Sequence, residues 1–102
     1  MYLIEIFIPI YDNAGKAFAK HTYERVRNEL TDRFGGMTAF IRSPALGLWR
    51  DEAGDVRQDD IAIFEVMTDS LDHAWWRTYR HELEQRFAQQ EIIVRAVPIE
   101  RV

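Results

Sequence analysis

Four charged residues interrupt apolar stretches of the sequence, and their types and spacing suit acid-base chemistry. They are Glu5, Arg42, Glu65 and Arg95. Two carboxylates that share a half-dry site normally raise one of their pKa values, whereas flanking guanidinium groups lower both. Glu65 or Glu5 is therefore a candidate proton acceptor, and Arg42 or Arg95 is a candidate clamp for a substrate carboxylate.

The same four residues also fit a purely structural role. Opposite charges on neighbouring strands form a charge-balanced ladder that fixes strand register and the geometry of a dimer. Ion-pair networks of this kind are commoner in proteins than catalytic ones. Both interpretations stay open at the level of sequence.

The elements that would position these charges begin with a strand and a helix. Residues 2–10 alternate in the way a half-buried strand does, with Ile4, Ile6, Ile8 and Ile10 on one side. Ala19, Tyr23, Val26, Leu30 and Phe34 then recur at helical spacing. Gly35 and Gly36 follow them and predict the end of that helix.

The second half of the chain repeats the pattern after a hairpin. MTAFIR predicts a second strand that LGLW continues beyond Ser43-Pro44, and DEAGD, residues 51–55, predicts the turn. DIAIFEVM predicts the third strand. Asp69 is expected to cap a second helix, with Asp72 in its first turn. EIIVRAVPIERV predicts a fourth strand.

The order β-α-β-β-α-β is that of the ferredoxin-like fold, an α+β sandwich in which two helices cover one face of a four-stranded antiparallel sheet. We predict one such domain over residues 1–102, with strand order 4-1-3-2. Strands one and three are expected to be central and to run parallel.

The face of the sheet that the helices leave open is predicted to be unusually apolar. The helices should cover the isoleucines of strand one together with Ala39, Ile41, Ala62, Phe64, Val66, Val94 and Ala96. Alternation assigns to the open face Leu3, Glu5, Phe7, Thr38, Phe40, Arg42, Ile61, Ile63, Glu65, Ile93, Arg95 and Val97. Such a face exceeds the roughly 400 Å² of apolar patch that a soluble monomer tolerates. We therefore predict a homodimer that pairs two open faces, since two-fold pairing is the commonest symmetry.

The predicted turn aligns the four charges across this face. With DEAGD as the turn, Arg42 pairs near Glu65, Glu5 lies beside it, and Arg95 lies on the strand beyond. Phe40 and Trp49 would then form apolar walls of a small-molecule site, with Trp49 as a lid on the bent edge strand.

Trp75 and Trp76 cannot both point into one core, because successive helical residues diverge by about 100°. We expect Trp75 to pack against the sheet and Trp76 to share the flank of Leu83 and Phe87. Trp76 would then close the edge of the core or contact a partner or ligand. His73, Arg77, Arg80 and Glu84 are expected on the solvated face of the same helix.

Composition excludes several classes of function. The net charge of -4 disfavours nucleic acid and anionic membranes. The chain has no cysteine, which removes disulfides and thiolate chemistry, and its three histidines share no metal-ligand spacing. The N-terminus does not have the pattern of a signal peptide, so we expect a cytoplasmic protein. We also expect that it has no metal and no cofactor.

By its order of elements the whole chain resembles the dimeric α/β-barrel proteins. The stretch RFGGMTAFIRSPALGLW, residues 33–49, also resembles the central segment of small bacterial proteins. The resemblance implies two sheets packed face to face around small-molecule pockets, in a superfamily that includes cofactor-independent monooxygenases, lactone isomerases and haem-degrading enzymes. No catalytic residue of these branches carries over, because Arg77 follows the tryptophans where the monooxygenase pattern has histidine.

Two hypotheses follow. In the first, the dimer is an enzyme, resembling a monooxygenase or an isomerase, that acts on a hydrophobic organic acid or an aromatic compound. In the second, it is a non-catalytic module for ligand sensing or assembly, and the four charges only set register.

Overall fold

Residues 1–42 and 60–102 are described by the computed structural model, the side chain of Arg42 excepted. They form β1 (Tyr2–Pro9), α1 (Lys20–Phe34), β2 (Thr38–Arg42), β3 (Ile61–Thr68), α2 (His73–Arg86) and β4 (Val94–Pro98). The predicted α+β class and ferredoxin-like order of elements are confirmed. The predicted turn at 51–55, the LGLW continuation and Trp49 lie outside the described residues.

The sheet has the order β2-β3-β1-β4, which is the predicted order read from the opposite edge. Each neighbouring pair is antiparallel, so the expectation that the first and third strands run parallel was wrong. β1 and β2 both run opposite to the β3 between them, as a split β-α-β unit requires. The hairpin connection from β2 therefore sends β3 back against β1.

α1 is held against the sheet by Val26, Leu30 and the phenol of Tyr23. Val26 and Leu30 are fully buried, and the Tyr23 hydroxyl donates a hydrogen bond of 2.8 Å to the carbonyl of Pro9. Burial raises the pKa of Tyr23 to about 12, so the phenol keeps its proton and remains a donor. Gly35 ends the helix with φ 82°, a left-handed conformation that glycine adopts without strain, as the sequence predicts.

α2 begins at a different residue from the one predicted, and it turns a different side toward the core. Its N-cap is Asp72 rather than Asp69, because the Asp72 carboxylate accepts the backbone N–H of Trp75 at 3.0 Å. Trp76 is only 6 % exposed, whereas Trp75 is partly exposed. The expected roles of the two tryptophans are therefore reversed.

The C-terminal half of α2 explains why the two tryptophans exchange their expected positions. Leu83 and Phe87 are both fully buried, and they lie within about 20° of Trp76 on the helical wheel. They set the centre of the buried face and leave Trp75 at its rim. Trp75 stacks on Tyr79 at 4.9 Å between ring centroids, and the Arg33 guanidinium carbon lies 4.1 Å from its ring centroid.

The helices cover the two central strands but not the two edge strands. The core contains Ile4, Ile6 and Ile8 of β1 together with Ala62, Phe64 and Val66 of β3. On β2, Ile41 is 62 % exposed, and on β4, Ala96 is exposed and Val94 is half-buried. The expectation that the helices cover Ala39, Ile41 and Ala96 was therefore wrong, whereas Val94 packs against the core as expected. In the described part of the chain, neither helix has the length and apolar character needed to cross a bilayer.

Candidate functional site

The open face of the sheet has the composition that alternation predicts. Phe7 of β1 pairs with Ile63 of β3, and Ile63 pairs with Phe40 of β2, which gives an apolar strip across three strands. Several large side chains on this face remain exposed: Phe40 43 %, Met67 49 %, Ile93 54 % and Val97 40 %. These exposed fractions are high for apolar side chains that lie next to one another, because the solvated face of an antiparallel sheet normally carries polar residues.

One row of polar residues crosses the open face. The register aligns Thr38, Glu65, Glu5 and Arg95 on four adjacent strands, so three of the four predicted members are neighbours.

Arg42 does not belong to this row. It pairs with Ile61, four residues along β3 from Glu65, or about 13 Å at the rise of a strand. The predicted turn placed the hairpin register four residues out of place. Because four is an even number, Arg42 keeps its predicted face of the sheet while its neighbours change. Its side chain lies outside what the structure describes.

Glu5 and Arg95 form an ion pair within the row. The Arg95 Nε donates to the Glu5 carboxylate at 2.8 Å, and the guanidinium carbon lies 4.7 Å from the centroid of the Phe7 ring. The Glu5 carboxylate is mostly buried, whereas Arg95 is about half exposed. This pair ties β4 to β1 and holds Arg95 flat over an aromatic ring. Glu5 therefore suits a register-setting role better than that of a proton acceptor.

Glu65 lies at a cleft. The cleft has a volume of about 480 Å³ and lies where β1 begins and β3 ends. Leu3 and Met67 line it from the open face, and Gly35 and Gly36 line it from the end of α1. Arg101 also lines it, so the cleft combines apolar side chains with a carboxylate and a basic residue, which makes it a reasonable place for a small molecule. The surroundings of Glu65 therefore leave room for a ligand, whereas the Glu5 carboxylate is already bound to Arg95.

A second polar cluster, missed in the sequence, joins the two helices. Glu29 of α1 accepts hydrogen bonds from the Tyr79 hydroxyl at 2.9 Å and from the two terminal nitrogens of Arg86 at 2.7 and 3.1 Å. Burial alone would raise the pKa of Glu29, but the hydrogen bonds and charges of Arg86, Tyr79 and Arg25 outweigh it, and the net shift is downward.

This cluster is structural in character, because both ends of the forked ion pair belong to the packed helices. The only sequence signal for it is the seven-residue spacing of Tyr79 and Arg86, which places them on one side of α2.

Glu84 is buried rather than solvated, contrary to the sequence expectation. One of its carboxylate oxygens accepts the backbone N–H of Ile92 at 3.0 Å and lies 3.4 Å from Arg80. The other lies 3.3 Å from Nδ1 of His81. Glu84 thus fixes the connection from α2 to β4, where backbone amides need an acceptor.

No protein-family model matches the sequence. No curated protein matches it either. Among solved structures, a phage SAM lyase in complex with S-methyl-5'-thioadenosine is similar, with a TM-score of 0.62 and 12 % sequence identity, over 94 % of this chain and 79 % of that chain. At that identity the similarity shows a shared fold, which is the architecture that positions the row and the cleft.

Proposed function

We propose that this protein is a small-molecule-binding homodimer that pairs the open faces of two sheets. The observation that carries the proposal is the exposure of Phe40, Met67, Ile93 and Val97 together on one face. Burying apolar area stabilises an assembly by about 25 cal/mol per Å². Covering this face is therefore a strong driving force for association.

A second copy of the chain is the partner that suits this face best. The face carries both signs of charge, with Glu65 and Glu5 at its centre and Arg95 toward the β4 edge. A two-fold rotation that brings Arg95 of each copy over the carboxylates of the other would make this surface complementary to itself. The helices of each copy would remain on the outside, as in the dimeric α/β-barrel proteins that the chain resembles.

The ligand site is proposed at the cleft beside Glu65. A second sheet over the open face would narrow the cleft and exclude water from it, which strengthens polar contacts to a ligand. The structural neighbour of the same fold was solved with a nucleoside thioether, which supports small-molecule binding as the class of function. The ligand proposed here is a hydrophobic organic acid or an aromatic compound, with Leu3 and Met67 as apolar walls. Phe40, the wall residue expected from the sequence, lines a different cleft.

Two roles for the dimer remain distinct. In a cofactor-independent enzyme Glu65 accepts a proton from the ligand, whereas in a sensing or assembly module it only contributes to the interface. The Glu5–Arg95 ion pair favours the second role for those two residues, because both are already engaged. Glu65→Gln separates the roles: loss of turnover with an intact dimer supports catalysis, and loss of the dimer supports assembly.

The proposed dimer is tested by replacing one isoleucine with glutamate on each face of the sheet in turn. Ile93→Glu places a charge on the open face, whereas Ile41→Glu places it on the helix side, where Ile41 is already exposed. Sedimentation velocity should show a monomer for Ile93→Glu and a dimer for wild type and Ile41→Glu, with unchanged circular dichroism in all three. Dimers of equal stability in both variants would contradict the proposal.

A further inference from the structure

We propose that a second site, the cleft between α2 and β4, binds the anionic group of a small organic molecule that has a flat apolar body. The cleft has a volume of about 310 Å³. Its α2 wall carries three basic residues, His73, Arg77 and Arg80. This basic cleft lies on the helix side of the sheet, so it is separate from the open face and does not depend on the dimer.

The basic cleft exists because of the way α2 is turned. Trp76 and Leu83 point into the core, and this orientation brings residues 73, 77 and 80, spaced by four and three, onto one stripe toward β4. The helix does not cover β4, so Val94 and Ala96 form an apolar floor beneath that stripe. Trp76 closes the inner end, which gives the cleft an aromatic surface.

The charges around the basic cleft favour an anion. Three basic residues on one stripe stand out in a chain whose net charge is -4. The positive end of the α2 dipole lies at His73, the first residue of the helix.

The acidic groups nearby have other partners. Asp72 accepts the Trp75 amide and lies 3.8 Å from Arg33 of α1, and Glu84 is buried against Arg80, His81 and the Ile92 amide. Arg95 also lines the cleft along β4, but its guanidinium lies on the open face, where its Nε is bound to Glu5. Arg77 is therefore the main guanidinium proposed to bind the anion, assisted by the other N–H groups of Arg80, whose Nη1 donates to Glu84, and with His73 at the outer end.

The ligand class follows from these surfaces. Guanidinium groups recognise carboxylates and phosphates through paired, charge-assisted hydrogen bonds. The volume of about 310 Å³ is at the small end of ligand pockets and suits one ring system with one anionic group. The apolar floor favours a planar hydrocarbon or aromatic body over a second charge.

The test is a titration of the ¹⁵N-labelled protein with phenyl phosphate, in which the chemical shifts of the backbone amides are recorded at each ligand concentration. We expect saturable shifts confined to residues 73–80 and 94–96. Benzyl alcohol has the ring without the charge and should bind at least about tenfold more weakly, since one charge-assisted contact amounts to about that factor. Inorganic phosphate has the charge without the ring and should also bind at least about tenfold more weakly, because it gains nothing from burial of an apolar ring.

Matched variants keep the test specific. Arg77→Gln should weaken phenyl phosphate binding about tenfold or more, because it removes one charge-assisted contact. Arg27→Gln makes the same charge change on the exposed side of α1 and should leave binding unchanged. Ala96→Asp places a negative charge on the exposed floor of the cleft and should abolish binding, although every basic residue of the cleft is kept.

Three results would overturn the proposal: no saturable shifts at millimolar phenyl phosphate, shifts centred on the open face, or equal affinities for Arg77→Gln and Arg27→Gln. The spectra of the variants also report whether each is folded. Since the basic cleft lies within one chain, its failure would leave the dimer standing, and a monomeric protein would leave the basic cleft standing.

Discussion

The two faces of the sheet are built from the same strands, yet they end in opposite environments. On β1, Ile4, Ile6 and Ile8 point to the helices and are almost completely buried. On the other face, Ile63 of the central strand β3 is buried, but Phe40 and Ile93 nearer the edges are about half exposed although they are equally apolar. Alternation thus produces two apolar faces, and the two helices of the chain can cover only one. The difference is the observation that supports the proposed partner.

The charges differ between the two sides as well. On the helix side the forked Glu29–Arg86 pair lies between the two helices, around the hydroxyl of Tyr79. On the open face the Glu5–Arg95 pair lies within the sheet itself, over the ring of Phe7. The first pair stabilises the packing of one chain, whereas the second is placed where a second chain is proposed to meet it.

The largest effect is expected inside the helix side, at Trp76. Trp76→Ala should reduce the free energy of unfolding by about 4 kcal/mol, because it removes a buried indole and leaves a cavity. Trp75→Ala should cost less than half of that, since Trp75 is at the rim. Chemical denaturation measures both values, and equal losses would contradict the orientation of α2.

The next largest effect on stability is expected from a comparison of two isoleucines on opposite faces of the sheet. Ile6→Ala should reduce the free energy of unfolding by about 3 kcal/mol at any protein concentration, since Ile6 is fully buried within one chain. Ile93→Ala should change stability only at concentrations where the dimer forms. Denaturation at two protein concentrations measures the difference. A concentration-independent loss at Ile93 would show that its environment belongs to the monomer.

A smaller effect is expected at Glu29, and it depends on pH. Because the folded-state pKa of Glu29 is lowered, its contribution to stability is complete above the ordinary value near 4.5 and is lost as pH falls through the lower folded value. Glu29→Gln should therefore cost about 1–2 kcal/mol at neutral pH and much less in acid. The exposed Asp32→Asn on the same helix is the control, and thermal unfolding between pH 2 and pH 7 is the measurement.

The smallest effect is expected at the ion pair of the open face. Arg95 is about half exposed in the single chain, so at concentrations where the protein is monomeric the pair with Glu5 should contribute about 1 kcal/mol or less. A double-mutant cycle with Glu5→Gln and Arg95→Gln measures that coupling energy. A value several times larger would mean that water does not screen the pair, as expected only beneath a partner.

Much of the fold could be predicted from the sequence because alternation and helical spacing are local signals. They assigned Leu3, Phe7 and Ile63 to one face and Ile4, Ile6 and Ile8 to the other, and the register confirms that division. Gly35 marked the end of α1 in the same way, through its left-handed backbone.

The misses concern relations between distant segments. Register depends on where a hairpin turns, and the misplaced turn moved Arg42 beside Glu65 although it pairs with Ile61. The orientation of α2 depends on which rim of a wide apolar arc meets the sheet, and Trp75 and Trp76 are adjacent candidates. Glu84 was assigned to solvent because nothing local in the sequence shows that the amide of Ile92 needs its carboxylate.

The most direct test of the account is the mass of the intact protein in solution. Sedimentation equilibrium over a range of micromolar concentrations should give twice the chain mass of 12.1 kDa, with dissociation on dilution. A mass of one chain throughout that range would contradict the central claim, because the apolar face of the sheet would then be stable in water without a partner.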